Sequence, residues 1–141
     1  MINQSRLITA SFHDTVLANS NKTLVSNKID LPFSTTRIRA AFAPGCDRLL
    51  RLSFYISPDK SAPTTEPPNG SNIFTQVGPT LHIVGDDNIV DFEHEIQVRT
   101  AGFYLKVYAE NLDGFEHTID AQITIRQYTW EELEEENKEE K

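Results

Sequence analysis

Four histidines are the residues of this chain best suited to bind a metal or to transfer a proton near neutral pH. They are His13, His82, His94 and His117. A zinc site needs two or three such ligands close together, and the sequence has no HxH or HExxH spacing. Because His94 lies in a run of alternating apolar residues, we interpret it as a core or interface histidine with a hydrogen-bond partner. The sequence therefore predicts no metal site at the histidines.

A second group of possible ligands follows Gly85, where Asp86, Asp87 and Asn88 are joined by Asp91. Carboxylate and amide oxygens suit calcium, but the spacing is not that of an EF-hand. Gly-Asp-Asp-Asn is also an ordinary turn sequence. We favour the turn, and we keep as the alternative function a carbohydrate-binding module with a calcium-assisted site at this loop.

Residue types that catalyse hydrolysis are present without the arrangement that catalysis requires. Glu93 and Glu95 could act as paired carboxylates in glycoside hydrolysis, but one of them would have to stay protonated in an apolar surrounding. Cys46 has no histidine near it in the sequence, and neither a nucleophile elbow nor a Gly-rich phosphate loop is found. The prediction is a protein with no catalytic residues and no cofactor.

Aromatic residues could instead form a contact surface. Tyr104 and Tyr108 fall on the outward face of one predicted strand, about 13 to 14 Å apart. Together with Tyr55 and Phe115 they could stack on sugars. We interpret them instead as packing or subunit-interface residues.

The composition is that of one globular domain. The chain has 141 residues, of which 38% are hydrophobic and 24% charged, so a sizeable core is expected. A single cysteine cannot form an internal disulfide, which suggests folding in a reducing cytosol. The sequence shows no apolar run of membrane-spanning length and no signal peptide, so no membrane partner is predicted.

Charge is concentrated at the end of the chain. The formal net charge is -8, and residues 131–141 hold seven Glu and two Lys, which leaves -8 - (-5) = -3 for residues 1–130. Without a basic stripe, nucleic-acid binding is not predicted. We divide the chain into a β-sandwich domain over residues 1–130 and an acidic tail over residues 131–141.

Alternation of apolar and polar residues predicts about eight strands. They cover residues 7–17, 22–31, 36–43, 48–57, 80–84, 89–99, 103–110 and 119–126. The last two are predicted to form a β-hairpin closed by the turn at residues 111–114. The third and fourth are either antiparallel neighbours or cross between two sheets.

This strand pattern predicts an all-β fold, an antiparallel β-sandwich that is jelly-roll or immunoglobulin-like. The stretch between Pro58 and Pro79 holds five of the seven prolines and is predicted to be a long loop. Within it, Ile73 and Phe74 are predicted to add a short strand or to pin the loop by burial.

Two segments resemble small all-β proteins encoded among phage or prophage structural genes. The segments are LSFYISPDKSAPTTEPPNGSNIF and GFYLKVYAENLDGFEHTIDAQITIRQ, and the resemblance covers about residues 49–127. It implies a virion component such as a head-decoration or fibre-like protein, oligomeric and without enzymatic activity. The shared pattern marks strands and turns, so it transfers no functional residues.

The leading hypothesis is an oligomeric structural protein, with a trimer favoured, that binds a capsid or other virion protein. It would be assembled in the host cytoplasm and located in the virion. Contacts are expected from an N-terminal arm over residues 1–6, the Pro-rich loop and the outward tyrosines. The candidate interface residues are Met1, Ile2, Arg6, Ile73, Phe74, Tyr104, Tyr108 and Trp130.

Overall fold

A computed structural model describes residues 6–77 and 81–128, which fold into two packed antiparallel sheets. The described residues form eight strands and one short helix. Their bounds are β1 Arg6–Val16, β2 Asn21–Val25, β3 Phe33–Phe42, β4 Leu50–Ser57, β5 Ser71–Asn72, α1 Ile73–Val77, β6 Asn88–Val98, β7 Tyr104–Asn111 and β8 His117–Gln127. No helix in these two ranges is long and apolar enough to cross a membrane.

The strand order identifies the fold as a jelly roll. The first sheet has the order β1-β8-β3-β6 and the second has the order β2-β7-β4-β5. Each connection between consecutive strands crosses to the opposite sheet, except the connection from β4 to β5, which stays within the second sheet. Two four-stranded sheets wound in this way are the jelly-roll arrangement. The predicted antiparallel sandwich of about eight strands is confirmed, and of its two subtypes the structure has the jelly roll.

The predicted hairpin between the last two strands is wrong. β7 pairs with β2 and β4 in the second sheet, whereas β8 pairs with β1 and β3 in the first. The apolar faces of β7 and β8 look toward each other across the core, so they do not share one face. For the same reason β3 and β4 cross between the sheets. Alternation reveals which residues point inward but leaves the strand pairing open.

Apolar side chains from both sheets fill the space between them. The fully buried side chains of this core include Phe33, Ile38, Leu52, Val107 and Ile123. They lie at alternate positions of their strands, as two facing sheets require. Burial of these side chains is the main favourable contribution to folding.

Of the predicted strands, one is shorter in the structure, and another is reduced to a single bridge in its described residues. β2 ends at Val25. The Ser26 amide still donates to the Leu105 carbonyl at 2.9 Å, but the Leu105 amide donates to the Ser26 hydroxyl at 2.9 Å and not to the Ser26 carbonyl. Beyond it, Ile29 forms only an isolated bridge with Phe103. In the predicted strand at 80–84, the described residues 81–84 contain a single bridge, from Ile83 to β4. The strand predicted there is therefore wrong, and β5 with α1 borders β4 instead.

Candidate functional site

The structure keeps the histidines apart. His13 is exposed on β1, His82 precedes β6, and His94 and His117 lie on β6 and β8 in different surroundings. Among residues 6–77 and 81–128, no three His, Cys, Asp or Glu side chains converge as a metal site. His94 and His117 have specific partners that define their roles.

His94 is half-buried at the margin of the core, and it has the hydrogen-bond partner that the sequence predicted. Its Nε2 lies 2.8 Å from the Thr35 hydroxyl, and its ring stacks on Phe92 with centroids 5.3 Å apart. The Nδ1 atom is buried without a hydrogen-bond partner. Burial lowers the pKa of His94, since a charged imidazolium would lose hydration there. The neutral ring therefore belongs to the packing of β3 against β6.

The acidic segment after Gly85 is a turn. The Asn88 Oδ1 accepts the Asp86 amide at 2.7 Å, and the Asp86 Oδ1 accepts the Gly45 amide at 2.9 Å. Asp87 adopts a positive φ of 52°, which suits Asp in a turn. These oxygens serve the chain itself, holding this turn to the β3–β4 connection. Among residues 6–77 and 81–128, this turn brings no three acidic, His or Cys side chains together as a metal site.

The carboxylates on β6 form an exposed row. Glu93 and Glu95 are exposed, and Asp91 accepts a hydrogen bond from the Arg37 Nε at 2.7 Å. That hydrogen bond lowers the pKa of Asp91 and raises that of Arg37. A glycosidase acid must keep its proton through burial. This row has the solvent exposure expected of the outer face of a sheet.

A cysteine, a histidine and an aspartate lie in line at one end of the sandwich. The Cys46 Sγ is 3.7 Å from the His117 Nδ1, and the His117 Nε2 is 2.8 Å from the Asp113 Oδ2. The order of groups is that of a nucleophile, a base and an orienting acid. Sequence reasoning missed this cluster because Cys46 and His117 are 71 positions apart.

The surroundings of Cys46 do not suit a nucleophile. Its side chain is fully buried, and burial raises the pKa of the thiol, with the charges of Asp86 and Asp113 adding to the effect. A reactive cysteine needs an accessible thiolate. The cluster instead ties the β3–β4 turn to the β7–β8 loop.

The Pro-rich loop covers the outer face of the second sheet. The Thr23 hydroxyl of β2 donates to the Pro63 carbonyl at 2.6 Å. Tyr108, predicted to face outward, is only 2% exposed, and its hydroxyl accepts a hydrogen bond from Asn21 at 2.9 Å. Burial raises the pKa of Tyr108. Tyr104, the other predicted interface tyrosine, is half-buried. Alternate residues of β4 and β7 that were expected in solvent are thus covered.

An ion pair between a buried lysine and a half-exposed aspartate fixes this loop to the sheet. Lys106 on β7 is fully buried, and its Nζ donates to Asp59 at 2.9 Å and to Ser61 at 3.3 Å. Hydrogen bonds from Asn69, Lys106 and Ser61 hold the pKa of Asp59 well below its usual range. Alternation along β7 indicates only that Lys106 points away from the core, not that it is covered.

Ile73 and Phe74 pin the loop, as predicted, by entering the core. They are 0% and 4% exposed, and the Phe74 ring lies edge-on to Phe54 at 5.6 Å between centroids. Phe74 also contacts Phe92 on β6 at 5.8 Å. Their burial removes both residues from the surface available to a partner. Tyr108 is removed in the same way by the Pro-rich loop.

Of the remaining candidate interface residues, Arg6 is exposed at the start of β1. Met1, Ile2 and Trp130 lie outside the described residues. So do residues 131–141, so the predicted tail remains a prediction.

An apolar patch that sequence reasoning missed lies at the end of the sandwich near Cys46. Its members Leu17, Leu112 and Phe115 are 63%, 46% and 76% exposed. The buried Asn111 side-chain amide joins the β1–β2 loop to the β7–β8 loop. It donates to the Leu17 carbonyl at 3.1 Å and to the Phe115 carbonyl at 2.8 Å. Exposed apolar residues held in place like this are suited to contact another protein.

Comparison with known proteins supports the fold. No protein-family model and no curated protein matches the chain. A solved structure of the infectious bursal disease virus VP2 subviral particle is similar, with a TM-score of 0.50, 12% identity and 89% of this chain covered. The chain spans 33% of that viral protein's length. The likeness shows a shared jelly-roll architecture.

Two further solved structures have lower TM-scores. The Yersinia pseudotuberculosis-derived mitogen has a TM-score of 0.36 and 8% identity, with 87% of each chain covered. The exo-beta-1,3-galactanase from Phanerochaete chrysosporium has a TM-score of 0.35 and 8% identity, with 88% of this chain and 30% of that chain covered.

Proposed function

We propose that this protein is a non-enzymatic structural or assembly component of a virion, which decorates or stabilises a capsid or related shell. The jelly-roll fold supports the proposal, because viral capsid domains are among the proteins that use it. The similar solved structure is of a viral protein in a subviral particle. The resemblance of residues 49–127 to phage structural proteins points the same way.

The observation that carries the proposal is the position of the two longest edge strands. β1 and β6 have 11 residues each and form the opposite edges of the first sheet. A sheet edge presents unpaired backbone donors and acceptors to a neighbouring chain. A subunit with a long exposed edge strand such as β1 can be joined laterally to a neighbour, which is the kind of contact that a shell requires.

In this proposal the chain forms a homo-oligomer, with a trimer as the expected unit, and binds a capsid or other virion protein. Arg6 and the residues before it would supply one contact, and the apolar patch of Leu17, Leu112 and Phe115 another. Assembly would take place in the host cytoplasm, and the protein would be located in the virion. The Pro-rich loop contributes to the stability of the subunit, and its exposed residues before Ile73 would supply a third contact.

The test is the mass of the purified chain in solution, followed by binding to purified virus-like shells. Light scattering should give a multiple of 16.0 kDa, with a trimer expected. Deletion of residues 1–6 should weaken attachment to the shell, whereas Asp120→Asn, an exposed change on the central strand β8, should leave it unchanged. A monomer without affinity for any particle would contradict the proposal.

A calcium-dependent rise in melting temperature would favour the carbohydrate-binding alternative.

A further inference from the structure

The two long edges of the first sheet differ in regularity. β1 pairs with β8 in unbroken register from Arg6 opposite Gln127 to Val16 opposite His117. The pairing of β6 with β3 shifts register between Thr35 and Arg37. Bulges are one of the features by which proteins prevent unwanted pairing at an edge. β1 therefore presents the more regular template for an added strand.

The edges also differ in charge. β6 carries three carboxylates and no Lys or Arg, so its formal charge is -3. β1 carries Arg6 and Asp14, which cancel, and residues 7–12 between them are uncharged. Charged side chains are a common protection of edge strands. Two copies joined at β6 would bring six carboxylates together, whereas two copies joined at β1 would bring no net charge.

Beside the β1 edge, the space between the sheets is open. β2 has five residues and β1 has eleven, so the first half of β1 has no strand facing it. A groove of about 450 Å³ results, lined by residues that include Ile8, Ala10, Ile29, Leu105 and Ile125. Ile8 and Ala10 point inward but remain half-buried. A neighbouring strand at this edge would cover their exposed sides.

We propose that β1 pairs with β1 of a second copy, antiparallel and about a two-fold axis, so that the first sheets of the two copies join into one. In the proposed function, this pairing would be one of the contacts between subunits of the shell. A three-fold contact within the expected trimer would use other surfaces, and the two-fold contact would join neighbouring units.

Charge selects the register of this pairing. With Ala10 opposite Ala10 of the second copy, Arg6 lies opposite Asp14 of that copy, and the symmetry repeats the pair. Asp14 already binds Lys22 at 2.7 Å, but its side chain is 44% exposed, and a carboxylate accepts several hydrogen bonds. A shift by two residues would place Arg6 opposite Val16 or Phe12. Only the first register pairs both charges.

The direct test is a cysteine at the axis, Ala10→Cys in the full chain. Directly opposite residues of an antiparallel pair have Cα atoms about 4.5 to 5.5 Å apart, within the range of a disulfide. Under mild oxidation, a cross-linked dimer should form and disappear on reduction. Gln122→Cys, on the adjacent strand β8 and exposed, should cross-link at least about ten times more slowly. Equal rates at the two positions would overturn the pairing.

A second pair of variants tests the edge itself. Thr9→Lys with Ser11→Lys, added to Ala10→Cys, would oppose four lysines across the axis and should slow cross-linking at least about tenfold. Thr118→Lys with Gln122→Lys adds the same charge to β8 and should leave the rate unchanged. Both variants must first show the unfolding transition of the parent. An unchanged rate in the edge variant would overturn the inference.

The outcomes separate this inference from the proposed function. If Ala10→Cys cross-links but the chain binds no shell, the pairing stands and the virion role fails. If the chain joins a shell and the edge variant binds it with unchanged affinity and stoichiometry, the virion role stands and the pairing fails.

Discussion

At the scale of single residues, the fully buried ammonium of Lys106 is the side chain whose position most needs a physical explanation. A buried charge is stable only when it is paired and hydrogen-bonded. Asp59 and Ser61 supply those bonds from the Pro-rich loop. The side chain of Asp59 is 44% exposed, so the two partners of the ion pair depend on it unequally.

This inequality predicts different effects of removing each partner. Lys106→Met keeps a long side chain and leaves Asp59 in contact with water, so the free energy of unfolding should fall by only about 1 kcal/mol. Asp59→Asn leaves the buried ammonium without its counter-charge and should cost more. Urea unfolding of both variants measures the difference. A larger loss for Lys106→Met than for Asp59→Asn would contradict this unequal dependence of the two partners.

His94 predicts a pH dependence of stability. Its pKa in the folded protein is below the unfolded value of 6.5, because burial disfavours the charged ring. Between these two values the unfolded chain binds more protons, so the free energy of unfolding decreases as pH falls below about 6.5. His94→Gln should reduce the loss of stability between pH 7.5 and pH 5.5.

Urea unfolding midpoints at the two pH values provide the measurement. His13→Gln, at an exposed position on β1, is the matched control and should retain the dependence of the parent protein. An unchanged dependence in His94→Gln would contradict the assignment of the effect to the buried ring.

At the scale of elements, the Pro-rich loop returns to the sheet through Gly70, which precedes β5. Gly70 has a φ of +124°, and an added Cβ would overlap the Ile56 carbonyl oxygen and lie 3.0 Å from the Ser57 Cα. Gly45 has a φ of +96° with nothing within 4 Å of an added Cβ. Alanine substitutions at these two positions therefore distinguish the cost of backbone strain alone from the cost of strain with steric overlap.

Gly45→Ala should cost about 1 kcal/mol, since only the conformation is unfavourable. Gly70→Ala should cost at least about 2 kcal/mol more, because the backbone of β4 must also move. Thermal unfolding of both variants tests the comparison. Equal losses would mean that the loop can shift away from β4 without effect.

The same elements show how far the sequence determines the fold. On β6 and β8, and on the second half of β3, apolar residues alternate with polar ones in phase with burial, because the other face of these strands is exposed. On β4 and β7 alternation still identified the core side, with Leu105 and Val107 buried. It could not show that Lys106 and Tyr108 are covered as well, because that depends on the path of the Pro-rich loop.

Neither the strand pairing nor the Cys46–His117 contact can be predicted from local sequence patterns. A turn with Asp and Gly fits both a hairpin and a crossing between sheets, so the connection from β7 to β8 was assigned to the wrong one. The contact between Cys46 and His117 arises because both lie at the same end of the sandwich. Only the complete topology brings such distant positions together.

At the scale of the whole molecule, charge opposes the association of copies. The chain has a formal net charge of -8, and residues 131–141 contribute -5 of it. Like charges on each copy raise the free energy of bringing copies together, and salt screens that repulsion over about 10 Å at 0.1 M. The acidic tail should therefore limit self-association at low salt.

A chain of residues 1–130 tests both the proposed domain boundary and this electrostatic effect. It should fold with the unfolding midpoint of the full chain and associate more tightly at 20 mM salt, because its formal charge is only -3. At 0.5 M salt the dissociation constants of the two chains should converge, since screening removes the difference. Sedimentation equilibrium at both salt concentrations gives these constants. A difference that persists at high salt would assign the tail a direct contact, and a truncated chain that fails to fold would move the domain boundary beyond residue 130.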